Sequence, residues 1–224
     1  MRMKNKISKI GVIHTVSATL SIIKNMFSDD LAYIEIINVF DDSLLKSFTS
    51  QEISSSLTTR KVMFHLMSMK ESNVDLIISA CSSIGDVVES LGFVLGLPVI
   101  RIDRPMAEKA ISFGGPIAVL ATLQSTFEPT LKLLESVAKN NEINEHRIDL
   151  HLCEGAFDYL SQNNKDMHDS IIQKKIISLV KKDYSCIIVA QASMESSLNN
   201  LPDINIPVLS SPRLMRQYIK NINI

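Results

Sequence analysis

Residues 74–89 read V-D-L-I-I-S-A-C-S-S-I-G-D-V-V-E. The run 74–80 is short, almost wholly apolar and rich in β-branched side chains, the pattern of a central parallel strand covered on both faces. From Cys81 onward the spacing turns helical. A thiol followed by the hydroxyls of Ser82 and Ser83 therefore stands where a buried strand ends and a helix begins, the edge at which open α/β sheets bind ligands. The free N–H groups and positive dipole end of that helix favour an anion, and they favour thiolate over thiol in a cysteine placed there. Packing is the competing role for Cys81, because most free cysteines are small buried apolar residues. This stretch alone does not choose between the two.

Working outward, apolar runs alternate with helical spacing along the whole chain. Strands are expected at 7–15, 33–40, 97–103, 117–122, 146–153, 185–190 and 206–209, besides the one at 74–80. Helices are expected at 16–27, 59–72, 105–113, 128–140, 167–182 and 213–219. In the second of these Val62, Leu66 and Met69 share a face, and the third opens on Pro105, a favoured first-turn residue. Residues 44–58 are polar and Ser-rich, and are read as loop with a short helix, placed to act as a lid. The clearest break is Gly114-Gly115-Pro116. Strands alternating with helices specify the α/β class, with parallel sheets and helices on both faces.

Composition narrows the function. The 224 residues are 46% hydrophobic and 21% charged, which is globular. A net charge of −1 gives no electrostatic footprint for nucleic acid or an anionic membrane. The basic start is followed by an apolar run of only 10–13, too short for a secretory signal or a membrane span. Cys81, Cys153 and Cys186 are odd in number and lack C-x-x-C spacing, which fits a reducing cytoplasm. His65, His146, His151 and His168 show no metal-ligand spacing and read as ordinary helix and surface residues.

The two halves repeat. G-V-I-H-T-V-S-A-T from Gly11 lies on A-V-L-A-T-L-Q-S-T from Ala118, 107 positions on, with Thr15 over Thr122. D-L-I-I-S-A-C-S-S-I from Asp75 lies on S-C-I-I-V-A-Q-A-S-M from Ser185, 110 positions on, with Cys81 over Gln191. Pro98-Val99-Ile100 lies on Pro207-Val208-Leu209, 109 positions on. General α/β likeness accounts for the apolar runs, not for the coincident Thr, Ser and Pro positions. The fold expected is two pseudo-symmetric parallel α/β sandwich lobes, with the active site in the cleft between them. A ligand touched from opposite sides suits proton transfer across a carbon.

On the opening I-G-V-I, the Cys81-Ser82-Ser83 turn, Ala121-Thr122 and the A-Q-A-S-M ending of the strand at 185–190, the chain resembles the aspartate/glutamate/hydantoin racemase family over nearly its full length. The resemblance implies a cofactor-independent enzyme, with no metal, PLP or nucleotide, in which one cysteine per lobe works on opposite faces of a substrate α-carbon. It implies Cys81 as thiol acid/base. It implies Ser82, Ser83, Thr122 and Gln124 as carboxylate-binding residues, with Gln191, Ala192 and Ser193 at the second-lobe position. Terminal helices that cross between lobes are implied too, giving a first lobe of 1–103 plus 213–224 and a second of 104–212. A homodimer acting on a small carboxylate or amino acid is the expected form. The departure is Gln191, where the family has its second cysteine: an amide hydrogen-bonds but carries no proton near neutral pH. That keeps a one-cysteine decarboxylase or lyase, and a non-catalytic small-acid binding module, beside the racemase reading. Thr15 and His14 end the first strand, and His14 is either a second proton carrier or a hydrogen-bonding group. Arg213, after the last strand, is either a bidentate carboxylate partner or a surface residue. Cys153 and Cys186 are read as core.

Overall fold

The computed structural model describes residues 6–44, 55–143 and 147–223. Most of the proposed lid at 44–58, and His146, lie outside them. The chain divides into two compact units, Met1–Ile102 with Arg216–Ile224, and Asp103–Met215.

In the first unit four strands form a parallel sheet in the order β2-β1-β3-β4: β1 (Lys9–His14), β2 (Glu35–Phe40), β3 (Leu76–Ser79) and β4 (Val99–Arg101). In the second, β5 (Ile117–Ala121), β6 (Ile148–Leu152), β7 (Cys186–Val189) and β8 (Val208–Ser210) form a parallel sheet in the order β6-β5-β7-β8. The two orders are the same when each strand is exchanged for its repeat partner. The registers agree as well. Ile10 pairs with Leu76, and their counterparts Ile117 and Cys186 pair with each other. Ile77 pairs with Val99, as Ile187 does with Val208. A one-residue slip would turn every side chain to the other face, so this agreement fixes which residues reach each strand end. The two-lobed α/β architecture read from the sequence is the one observed.

Helices cover both sheets: α1 (Ala18–Met26), α2 (Ser55–Glu71) and α3 (Gly85–Leu95) in the first unit; α4 (Arg104–Ile111), α5 (Phe127–Asn140), α6 (Ala156–Ser161) and α7 (Lys165–Leu179) in the second. The last helix, α8 (Ser211–Ile222), begins in the second unit and contributes Arg216 onward to the first. The Arg216 guanidinium donates to the carbonyls of Met26 and Ser28 and pairs with Asp30, and Lys220 joins Asp30 at 2.5 Å. Sequence periodicity misses α6, which is too short to repeat an apolar face. It also carries 167–182 past the point where α7 stops. Among the described residues no helix is long and apolar enough to cross a membrane.

Both central strands of each sheet are sealed. Every residue of β3, β5 and β7 is buried. In the first unit Ile13, Ile77, Leu66, Met69, Ile84 and Val88 form one apolar cluster. In the second, Val119, Ile188, Leu134 and Val137 lie on one side of the sheet and Leu120, Ile187, Ile172 and Ile176 on the other. Cys153 and Cys186 are 1% and 0% exposed, and burial pushes both thiols up to about 11. His168, read from sequence as an ordinary helix or surface residue, is instead fully buried, with Nδ1 2.8 Å from Asp169.

The packing of α3 on β4 depends on Gly92. A Cβ there would lie 2.2 Å from Val99 Cγ2 and 2.8 Å from Val99 Cβ. The helix then closes on Gly96 in the left-handed conformation at φ 65°, which glycine adopts without strain. Gly92→Ala should therefore lower stability by about 1–3 kcal/mol despite alanine's better helix propensity. Thermal unfolding checks this, with partial recovery expected in Gly92→Ala/Val99→Ala.

Candidate functional site

β3 and β7 each hand over to a 3-10 turn. After β3, Cys81 (φ −125°, ψ 119°) leads into the turn Ser82–Ile84 and then α3. After β7, Gln191 (φ −125°, ψ 136°) leads into Ala192–Leu198. The two residues are equivalent in backbone conformation as well as in sequence. The supporting bonds repeat too. Ala80 N–H donates to the Ile13 carbonyl at 3.0 Å and Ala190 N–H to that of Leu120 at 2.8 Å, while Asp41 N–H reaches His14 O at 2.9 Å and Cys153 N–H reaches Ala121 O at 2.8 Å.

In the first unit, Cys81 is a free thiol, 9% exposed. Its carbonyl accepts from Ser79 Oγ at 3.2 Å. Ser82 and Ser83 are half-buried in the turn that follows. Thr15, which succeeds the last residue of β1, is 2% exposed, and its Oγ1 has no hydrogen-bond partner among the described residues. A buried hydroxyl left in that state costs about 1–3 kcal/mol.

His14 is held on both sides. Nδ1 is 2.7 Å from Thr19 Oγ1 and Nε2 is 2.9 Å from Asn38 Oδ1. Thr19 in turn donates to the Val16 carbonyl at 2.7 Å. The ring ties the first turn of α1 and the neighbouring strand β2 to the end of β1, and neither nitrogen is left for a ligand. Burial lowers the His14 pKa from the ordinary 6.5, against a smaller upward pull from the Asn38 bond.

In the second unit, Thr122 follows β5 and is 5% exposed. Its backbone N–H and its hydroxyl both donate to Gln191 Oε1, at 2.6 and 2.9 Å. Gln124 opens the exposed turn Gln124–Thr126 that precedes α5, and Ala192 and Ser193 are half-buried behind Gln191. Arg213 Nε donates to Glu195 Oε1 at 2.6 Å and its Nη2 to Asn199 Oδ1 at 3.1 Å, so this guanidinium is engaged by the segment that follows Gln191.

One residue at this edge escapes sequence reasoning. Arg101, the last residue of β4, is 1% exposed and reaches Asp86 in the first turn of α3 at 2.5 Å. A Cβ on Gly85 would lie 2.6 Å from its Nε. A buried cation thus lies against the start of the helix that Cys81 introduces. The signal is present in V-I-R-I, where a charge interrupts a buried strand; its repeat counterpart is Ser210, whose buried Oγ is unpartnered.

A pair of four-stranded parallel sheets with a thiol turn and an amide turn at equivalent strand ends defines a two-lobed α/β protein of repeated design. Solved structures share this fold: a putative Asp/Glu racemase from Yersinia pestis (13% identity, TM-score 0.72, covering 97% of this chain and 99% of that one) and an aspartate racemase homologue from Pyrococcus horikoshii (15%, 0.70, 97% and 99%). A glutamate racemase from Bacillus anthracis is similar over 97% of this chain and 82% of its own, at 17% identity and a TM-score of 0.65. No curated protein matches the sequence. The family model for Asp/Glu/hydantoin racemase matches residues 8–217, and the chain belongs to that family.

The tethering of His14 carries a pH dependence. Its folded pKa lies below 6.5, so as pH falls the unfolded chain takes up the proton first. Stability should therefore decline as pH drops from about 6.5 toward the lower folded value. His151, also held down mainly by burial and then by Lys175 and Lys182, adds a slope of the same sign. Urea midpoints measured across this range should fall less steeply in His14→Gln than in the wild type. An unchanged slope would remove His14 as its source.

Proposed function

We propose that this protein is a cofactor-independent enzyme of the racemase family, transferring a proton at the carbon α to a carboxylate of a small acid, with Cys81 as the acid or base. The observation that carries this reading is the placement of the Cys81 thiol, free and nearly buried, between a sealed strand and a turn rich in donors. A thiolate there takes the α-proton, and the electron pair left behind spreads into the carboxylate as an enediolate. Donors aimed at that developing charge supply much of the stabilisation. Ser82 and Ser83, with their N–H groups, and Thr15, with its unpartnered hydroxyl, are the first unit's candidates.

Gln191 favours a second reading within the same family. Racemisation needs an acid and a base on opposite faces, and an amide supplies neither near neutral pH. With one thiol, a malonate-type acid loses carbon dioxide as its C–C bond breaks. The carbanion takes the Cys81 proton, and the thiolate regains a proton from water. Action as a homodimer in the cytoplasm is part of the proposal, and three free cysteines suit a reducing compartment.

Cys81→Ala should abolish turnover and leave the melting temperature nearly unchanged, whereas a packing cysteine would give lost stability with activity kept. In heavy water, followed by NMR, wild-type protein should exchange the α-proton of one enantiomer of a substrate acid much faster than the other. Gln191→Cys should narrow that difference by adding the missing proton carrier. Equal exchange of both enantiomers by the wild type would overturn the one-thiol mechanism.

A further inference from the structure

The outward face of α2 carries a pattern that the core does not use. Val62, Leu66 and Met69 point inward and are buried. Arg60, Phe64, Met67 and Glu71 follow one another at steps of four, three and four residues on the other side, and all four are exposed. That spacing is the seam of a coiled coil, where steps of three and four alternate. Phe64 is 75% exposed and Met67 48%. Phe93 and Val94, in the last turn of α3, are 88% and 73% exposed. Lys70 Nζ donates to the Leu95 carbonyl at 3.0 Å, which holds that turn beside the end of α2. Four apolar side chains thus stand in water on two helices packed together in the first unit. Singly exposed apolar residues are ordinary, but a group of them marks a surface made for another surface.

We propose that the outer face of α2 is a homodimer interface, where the helix meets its own copy antiparallel across a twofold axis. This rests on the reading of the protein as a homodimer and goes beyond it by naming the face. The charges select a second copy as the occupant. A twofold axis crossing α2 between Phe64 and Met67 sets Phe64 of one copy on Met67 of the other. Four residues further out on each side, the same axis sets Arg60 on Glu71. The stripe is its own complement, apolar on apolar at the centre and cation on anion at both ends, as an isologous contact requires. Neither Arg60 nor Glu71 has a side-chain ion pair among the described residues. Lys61 and Lys70, which the axis also brings level, lie on the flanks of the helix and are engaged within their own chain, by Ser43 Oγ at 2.7 Å and by the Leu95 carbonyl.

Sedimentation velocity of the full chain across a dilution series tests the face. The wild type should dimerise. Phe64→Glu, at a side chain that the single chain leaves in water, should raise the dimer dissociation constant at least about thirtyfold, because both copies lose the apolar centre. Arg60→Glu and Glu71→Arg should each raise it about tenfold, by setting like charges opposite one another at both ends. The double variant Arg60→Glu/Glu71→Arg should return it to within about threefold of the wild type, which requires the two residues to meet. Circular dichroism checks that each variant folds. A wild-type dimer that Phe64→Glu and the single charge swaps leave intact would overturn this face while the homodimer reading stands. A double variant as weak as the single swaps would overturn the antiparallel pairing. A wild type that stays monomeric at every dilution would overturn both the face and the homodimer.

Discussion

A parallel strand covered on both faces has no place for a polar side chain until it ends. β3 and β7 are buried throughout, and Ser79, the last residue of β3, spends its hydroxyl on the Cys81 carbonyl. Cys81 and Gln191 stand two residues after the strand ends in extended backbone, with the next residues already curling into a 3-10 turn. Chemistry is concentrated at these two positions because the sheets exclude it elsewhere. The shared register of β1 with β3 and β5 with β7 sets which neighbours stand beside them, Thr15 in one unit and Thr122 in the other.

From the same backbone the two turns reach opposite states of polar satisfaction. Thr122 gives both its protons to Gln191, so the second unit closes its own oxygen site with a side chain of the protein. Thr15 has a buried hydroxyl with no partner among the described residues, beside a thiol too short to do what Gln191 does. Two halves built on one repeat thus differ at this pair of turns. The buried guanidinium of Arg101 adds to the difference, because its counterpart in the second unit is the uncharged Ser210.

Much of this was legible in the sequence, and for a physical reason. Apolar runs and a repeat at nearly constant spacing encode strands and register, because burial on both faces leaves little choice of residue. The 107- and 110-position offsets are the offsets that the paired strands show. Side-chain commitments were not legible. Nothing in H-T-V-S-A-T states that His14 spends both ring nitrogens on Thr19 and Asn38. Likewise nothing in S-S-P-R states that Arg213 is engaged by Glu195 and Asn199. Such bonds join residues from separate elements, and which rotamer wins depends on neighbours that a linear pattern does not bring together. α6 escaped for a different reason: at six residues it is less than two turns, too few to reveal a period.

The first unit is assembled from both ends of the chain, with the whole second unit between them. Its closing piece brings Arg216 to the carbonyls of Met26 and Ser28 and to the Asp30 carboxylate, and Lys220 to the same carboxylate. A polypeptide emerging from the ribosome lengthens at its C-terminus, so this piece comes out after the second unit. The second unit is contiguous and has all its residues available earlier. The half that is translated first is consequently the half that finishes last. During synthesis the Cys81 turn belongs to a unit still lacking its final helical segment, while the Thr122–Gln191 bond can already have formed.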